Sequence, residues 1–156
     1  MTTSTKQDTR NEEVTDNTRS SADSSTVAFR LSNNLIIVEA SINGVSASMI
    51  LDTGAGRTVI SQTKARSIGL SEGRESCTGR GAGGEVEMAS ANIDSLAIGS
   101  MSKHDFTSVT MDMSDLHEQL ESEVHGIIGF DFLSEFKLTI DYPKRQLALQ
   151  AAETML

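Results

Sequence analysis

The sequence predicts an all-β fold, a small barrel carrying one or two short helices, and three observations carry that prediction. Short apolar runs recur between residues 35 and 149, separated by turn signals such as Asn43-Gly44, Gly99-Ser100 and Tyr142-Pro143-Lys144-Arg145. Short strands and tight turns at that spacing belong to barrels and sandwiches. One apolar run, Met49-Ile50-Leu51, delivers an acid, Asp52, into a Thr-Gly-Ala-Gly turn. Far downstream, a second apolar-apolar-glycine segment, Ile127-Ile128-Gly129, leads into Phe130-Asp131-Phe132-Leu133.

At 156 residues the chain suits one domain with a real core and is too short for two comfortable ones. Residues 1–26 are almost wholly polar, with Val14 the only large apolar side chain after Met1. Such a segment cannot bury enough surface to offset its ordering entropy, so it is expected to be a disordered tail ahead of a domain spanning 27–156. A net charge of -9 argues against nucleic acid or an anionic membrane as partner, because both demand a basic face. The single cysteine, Cys77, excludes an intrachain disulfide and favours a reducing compartment such as the cytoplasm. No apolar run approaches the ~20 residues of a membrane span, and the first residues lack the apolar core of a signal peptide; the chain reads as soluble.

Taken in order, Leu35 to Ile42 reads as a strand, Asn43-Gly44 as the two-residue turn of a tight hairpin, and Val45 to Leu51 as the return strand. Its alternation places Val45, Ala47, Met49 and Leu51 on one face. Asp52 therefore ends a rigid element, where burial is expected to disfavour its charged form and raise its pKa. Gly54 and Gly56 let the backbone turn sharply and bring N–H groups close to the carboxylate. After Ile60, Ser61 caps a short helix through Ser67, with Lys64 and Arg66 in its last turn and Gly69 as the stop.

Gly79-Arg80-Gly81-Ala82-Gly83-Gly84 suggests a phosphate cradle, but that reading requires a helix next, and Glu85-Val86-Glu87-Met88 alternates as a strand. A hairpin with a glycine tip fits better. Strands follow around Ile93, Leu96 and Ile98 and over Phe106–Met111, and Asp112–Glu123 holds a turn or two of helix around Leu116 and Leu120. Phe136–Asp141 and Gln146–Leu149 form a terminal hairpin. His104, His117 and His125 share no ligand spacing, which argues against a metal site, and no serine sits in a nucleophile-elbow context.

Asp-Thr-Gly alone also occurs in ordinary turns. Joined to Ile127-Ile128-Gly129 and the Phe130–Glu135 segment in the right order, it resembles the catalytic loop of aspartic peptidases, and the chain over roughly 33–150 is similar to the single-domain retropepsin-like (clan AA) family of cellular and bacterial type. The resemblance implies an acid-protease barrel that supplies half of a symmetric two-fold site. Only one Asp-Thr-Gly is present, so a second carboxylate must come from another copy of the chain.

The implied activity is an aspartic endopeptidase acting as a homodimer on an extended peptide or protein substrate, with neither metal nor cofactor. Asp52, Thr53 and Gly54 are the implied catalytic residues. Ala55, Ile128 and the flap-tip residues Gly81, Ala82, Gly83 and Gly84 are the implied substrate contacts. A flexible surface hairpin without a lid role is the alternative for the last four. The terminal hairpin either interleaves with a partner over 138–150 or packs within its own protomer. Retroviral members carry an acid after Asp-Thr-Gly-Ala, paired with an arginine after the second glycine motif; here Gly56 and Phe130 stand there. The alternative function is a weakly active or inactive retropepsin-like dimerisation or peptide-binding module.

Overall fold

A computed structural model describes residues 24–70, 72–81, 84–120 and 122–151, with 72–81 and 84–87 described by their backbone alone. Ten strands are present among these residues: β1 (Ser24–Ser32), β2 (Leu35–Ile42), β3 (Val45–Leu51), β4 (Val59–Ser61), β5 (Glu72–Gly81), β6 (Gly84–Ile98), β7 (Met101–Met111), β8 (Gly126–Ile128), β9 (Phe136–Asp141) and β10 (Gln146–Ala151). Three short helices join them, one more than expected: α1 (Gln62–Ser67), α2 (Ser114–Leu120) and α3 (Phe130–Leu133).

The strands form one sheet in the order β5-β6-β7-β4-β8-β3-β2-β1-β10-β9. An added pairing of β2 with β6, Ser41 to Ala97 and Ile42 to Leu96, closes the six strands between them into a barrel. The all-β barrel predicted by strand spacing is the observed fold. The Asn43-Gly44 turn has φ of 51° and 84°, the left-handed pair that matches the twist of a hairpin. Asn43 also reaches across the barrel seam, where its Oδ1 accepts the N–H groups of Asp94 (2.9 Å) and Ser95 (3.0 Å). Next to this clamp the buried positions of β6 change parity, from Ala91 and Ile93 to Leu96 and Ile98.

Two apolar clusters fill the protomer. The larger includes Val38, Met49, Leu51, Ile60, Leu96, Ile98, Ile128, Phe132, Leu147 and Leu149. The smaller holds Ile37, Ile50, Val59, Val109, Met113, Leu120 and Val124. Because Met49, Ile50 and Leu51 feed both clusters, the end of β3 is buried on both faces, as strands with neighbouring layers on each side are. Ala47, Met49 and Leu51 are buried as the alternation requires, whereas Val45 at the hairpin end is exposed. Ser61 caps α1 through its Oγ, which accepts the Lys64 N–H (3.1 Å), and Gly69 ends the turn at a φ of 77°.

Two boundaries differ from expectation. Strand β7 begins at Met101, not Phe106, because the polar stretch Ser102–Asp105 is held by pairing with β6 and carries no apolar alternation. Strand β1 begins at Ser24, within the expected tail, with Ser24, Ser25 and Thr26 paired to Gln150, Leu149 and Ala148. Residues 1–23 of that tail lie outside the described residues. Strand β10 is paired on both sides within the protomer, with β9 and with β1.

Candidate active site

The Asp52 loop is built on a three-strand junction. Strand β8 runs parallel to β3, with Met49, Ile50 and Leu51 opposite Gly126, Ile127 and Ile128, and antiparallel to β4 on its other side. One short strand therefore braces both the strand entering the loop and the strand leaving it. The Asp52 N–H continues the ladder to the Ile128 carbonyl (3.0 Å), and the Ala55 N–H closes the turn onto the Asp52 carbonyl (3.1 Å). The Phe130 N–H then donates to the Ala55 carbonyl (2.7 Å).

Thr58 and Asp131 lock the far side of the loop. Asp131 accepts the Thr58 N–H on Oδ2 (3.0 Å) and the Thr58 hydroxyl on Oδ1 (2.6 Å). The Thr58 Oγ1 in turn accepts the Gly129 N–H (3.2 Å). Thr58 is fully buried, so these bonds satisfy polar groups that would otherwise be costly. Gly129 is required sterically, since a Cβ there would lie 2.6 Å from the Arg57 carbonyl oxygen and 2.8 Å from that of Ala55.

Asp52, Thr53 and Gly54 all face outward and are exposed. The expectation of a desolvated Asp52 is thus corrected for the single protomer: Leu51 is the last buried residue, and the chain emerges from the core one residue later. Asp52 Oδ1 accepts the Gly54 N–H (2.9 Å), and the carboxylate has no ion-pair partner among the described residues. The Thr53 hydroxyl has no hydrogen-bond partner among them either. Ala55 is half-buried beside this surface.

Ile128 is not on that surface. It is completely buried in the larger cluster and supports the loop through its carbonyl, which corrects its assignment as a substrate contact. Gly81 and Gly84 form the last paired position of the β5–β6 hairpin, and Ala82 and Gly83 lie outside the described residues. A strand follows the glycines, as the rejection of a phosphate cradle required.

Sequence reasoning missed an ion pair. Arg57 Nε lies 3.8 Å from Asp131 Oδ2, and another guanidinium nitrogen donates to the Thr107 carbonyl (3.2 Å). Arg57 and Asp131 stand one residue beyond Gly56 and Phe130. The sequence offers opposite charges immediately after Gly56 and Phe130, which by itself does not show that the two meet. Lys103 of β7 adds a second tether, donating from Nζ to the Asp131 carbonyl (2.6 Å).

At the opposite end of β8 lies a cavity of about 360 Å³ lined by Ser61, Thr63, Lys64, Ser67, His117, Glu123 and His125. None of the Asp52 loop lines it. His125 braces β3 there, accepting the Ser48 N–H on Nδ1 (3.0 Å) and donating its own N–H to the Ser48 carbonyl (2.7 Å). Burial, with Lys64 second, pulls the His125 pKa below its ordinary value of 6.5, while Glu123 opposes the shift. Among the described residues no cluster of three or more His, Cys, Asp and Glu side chains could hold a metal ion. No described helix is long and apolar enough to cross a membrane.

A comparison with curated proteins finds no match. Among solved structures, a retropepsin-like aspartic protease from Rickettsia conorii is similar at 20% identity with a TM-score of 0.56, over 84% of this chain and 93% of that one. The retroviral protease-like domain of Ddi1 from Leishmania major aligns at 17% identity and a TM-score of 0.48, over 76% and 94%. EIAV protease in complex with the inhibitor HBY-793 aligns at 23% and 0.46, over 63% and 84%. The first likeness supports the fold alone. A family model described as aspartyl protease matches residues 38–132, more than half of the chain, from within β2 through the Asp52 loop into α3. The chain belongs to the aspartyl protease family and has the retropepsin-like fold.

Proposed function

We propose that this chain is an aspartic endopeptidase that works as a homodimer, with one Asp52 from each protomer. The observation that carries the reading is the Asp52 loop itself: an acid on an exposed surface, held by a buried network that fixes the backbone beneath it. A rigid base with an exposed reactive group is what a half-site requires.

Two Asp52 carboxylates about 3 Å apart cannot both ionise and would share one proton. The ionised carboxylate takes a proton from a bound water, the water oxygen attacks the scissile carbonyl carbon, and the protonated carboxyl donates its proton to the carbonyl oxygen. The resulting gem-diol collapses with proton transfer to the leaving amine. The Gly54 N–H, already bonded to Oδ1, helps hold the carboxylate orientation. Thr53, exposed beside Asp52 with its hydroxyl available, would bond across the two-fold axis and hold both loops in register. Ala55 and the hairpin tip, including Gly81, Ala82, Gly83 and Gly84, would contact an extended peptide laid between tip and floor.

The test is cleavage of a diverse unstructured peptide pool, read by mass spectrometry from about pH 3.5 to about pH 7.5, with wild type and Asp52→Asn compared at high protein concentration. Wild-type-only cuts with a bell-shaped pH profile are expected. Absence of cuts from a folded dimer would overturn the peptidase and leave a dimerisation or peptide-binding module.

A further inference from the structure

His125 ties together the two strands that enter and leave the Asp52 loop. Its N–H donates to the Ser48 carbonyl (2.7 Å) and its Nδ1 accepts the Ser48 N–H (3.0 Å), so main chain and ring together make the first rung between β3 and the segment entering β8. Its carbonyl accepts the Ser61 N–H (2.8 Å) at the end of β4. The bond from Ser48 also fixes the tautomer. An imidazole nitrogen that accepts a hydrogen bond carries no proton, so the proton of the neutral ring sits on Nε2, which lies 3.6 Å from Glu123 Oε2.

That arrangement exists only for the neutral ring. Protonation puts a hydrogen on Nδ1, directly against the Ser48 N–H, and two donors then point at each other. The charged ring must leave Ser48, whose N–H loses its acceptor. Room lies alongside: the cavity of about 360 Å³ opens on the same ring, with Glu123 in its wall. Among the described residues, charged groups face the ring from each element packed on it. Lys64 of α1 and His117 of α2 oppose the charged form, and Glu123, ahead of β8, favours it. On the β3 side the Ser48 hydroxyl donates to Glu39, itself paired with Arg30 (3.5 Å). Burial opposes the charge most, so the ring takes its proton below its ordinary value of 6.5.

We propose that His125 is a pH-sensitive positioning residue: neutral, it clamps β3 to β8 through Ser48; protonated, it swings toward Glu123 and releases the strand that carries Asp52. Release removes one of the ties between the Asp52 loop and the core, so cleavage falls as the ring takes up its proton. The acid side of the activity profile then contains an ionisation that belongs to neither Asp52 carboxylate. The ring's movement stands on the bonds around Ser48, whereas its effect on cleavage rests on the peptidase reading of Asp52.

The experiment follows the isotope-labelled full chain by NMR from about pH 7.5 to about pH 4.5, beside His125→Asn, which keeps an acceptor for the Ser48 N–H but cannot titrate. In wild type the Ser48 amide and both ring nitrogens of His125 should shift with a common midpoint below 6.5. Exchange of the Ser48 amide, corrected for its intrinsic pH dependence, should rise about tenfold or more beneath that midpoint. In His125→Asn the same amide should not titrate. Two milder variants should move the wild-type midpoint in opposite directions, Glu123→Gln downward and Lys64→Gln upward. A Ser48 amide that does not follow the ring, or a midpoint that neither variant moves, would overturn the switch. Cleavage by the same samples separates the two readings. The acid limb of wild type should follow the midpoint and move to lower pH in His125→Asn. Identical cleavage profiles in the two chains would overturn the switch and leave the peptidase standing. A titrating Ser48 amide in a chain that cuts nothing at any pH would overturn the peptidase alone.

Discussion

The β3–β8 pair and the β9–β10 hairpin are built on opposite plans. The first is parallel, short and buried on both faces, with Met49, Ile50 and Leu51 all out of solvent and β4 covering the far edge of β8. The second is antiparallel and one-sided, with alternate residues exposed and, among the described residues, one edge without a strand partner. Pairing on both sides of β8 ties the loop at the end of β3 to the core. Among the described residues the outer edge of the hairpin carries no strand partner. Pairing is densest beneath the Asp52 loop and sparsest at the end of the sheet.

Several substitutions separate the two plans, beginning with the largest effect. Asp52→Asn should lower peptide cleavage by on the order of 10²–10⁴-fold while Tm stays close to wild type, because the side chain is exposed and only its bond from Gly54 changes. A matching fall in Tm would mean that the acid serves the fold. Gly129→Ala should destabilise by about 1–3 kcal/mol in urea unfolding, at the upper end of that range, since both oxygens in its way belong to the backbone. Replacing a hydroxyl by a methyl at an exposed position of β9, as in Thr139→Val, should leave the urea midpoint close to wild type by contrast.

Thr58→Val keeps the shape of a buried side chain but removes the hydroxyl shared by Asp131 and Gly129. A loss of about 1–3 kcal/mol is expected by the same measurement, together with slower cleavage as the loop loosens. Unchanged stability would show that the loop is held by its backbone bonds alone.

The His125 end of β8 should respond to pH. Its folded pKa is depressed, chiefly by burial and next by Lys64, so below the ordinary value of 6.5 the unfolded chain binds more protons than the folded one. The stability contributed by the neutral ring is full above 6.5 and is lost as pH falls from there toward the folded pKa. Urea midpoints should drop across that window in wild type and flatten in His125→Asn, which keeps an acceptor for the Ser48 N–H. The smallest effect belongs to Arg57→Ala. Its side chain is 54% exposed, with Nε 3.8 Å from Asp131, so screening leaves about 0.2–1 kcal/mol.

Much of this was legible in the residues. Asn43-Gly44 announced a hairpin with two left-handed residues, Ser61 and Gly69 marked the ends of α1, and the strand after the glycine run excluded a phosphate cradle. Asp52-Thr53-Gly54 and Ile127-Ile128-Gly129 were recognisable as two halves of one arrangement. The start of β7 was not, because Ser102–Asp105 are polar and belong to a strand only through β6. The Arg57–Asp131 pair was also missed, since charge spacing along a chain does not say which charges meet.

By itself the sequence determined what depends on neighbouring residues: the period-two alternation, the turns, the helix cap and the placement of an acid at the end of an apolar run. Tertiary structure decided what depends on residues far apart in the chain. Pairing of β3 with β8 put Ile128 behind the loop and out of reach of solvent, and left Asp52 exposed one residue past the buried Leu51. Pairing of β10 with β1 used up the second edge of β10 and left β9 at the end of the sheet among the described residues. Each of these turns on which strand lies alongside which, and hydrogen bonding between strands is satisfied by backbone groups that every residue carries.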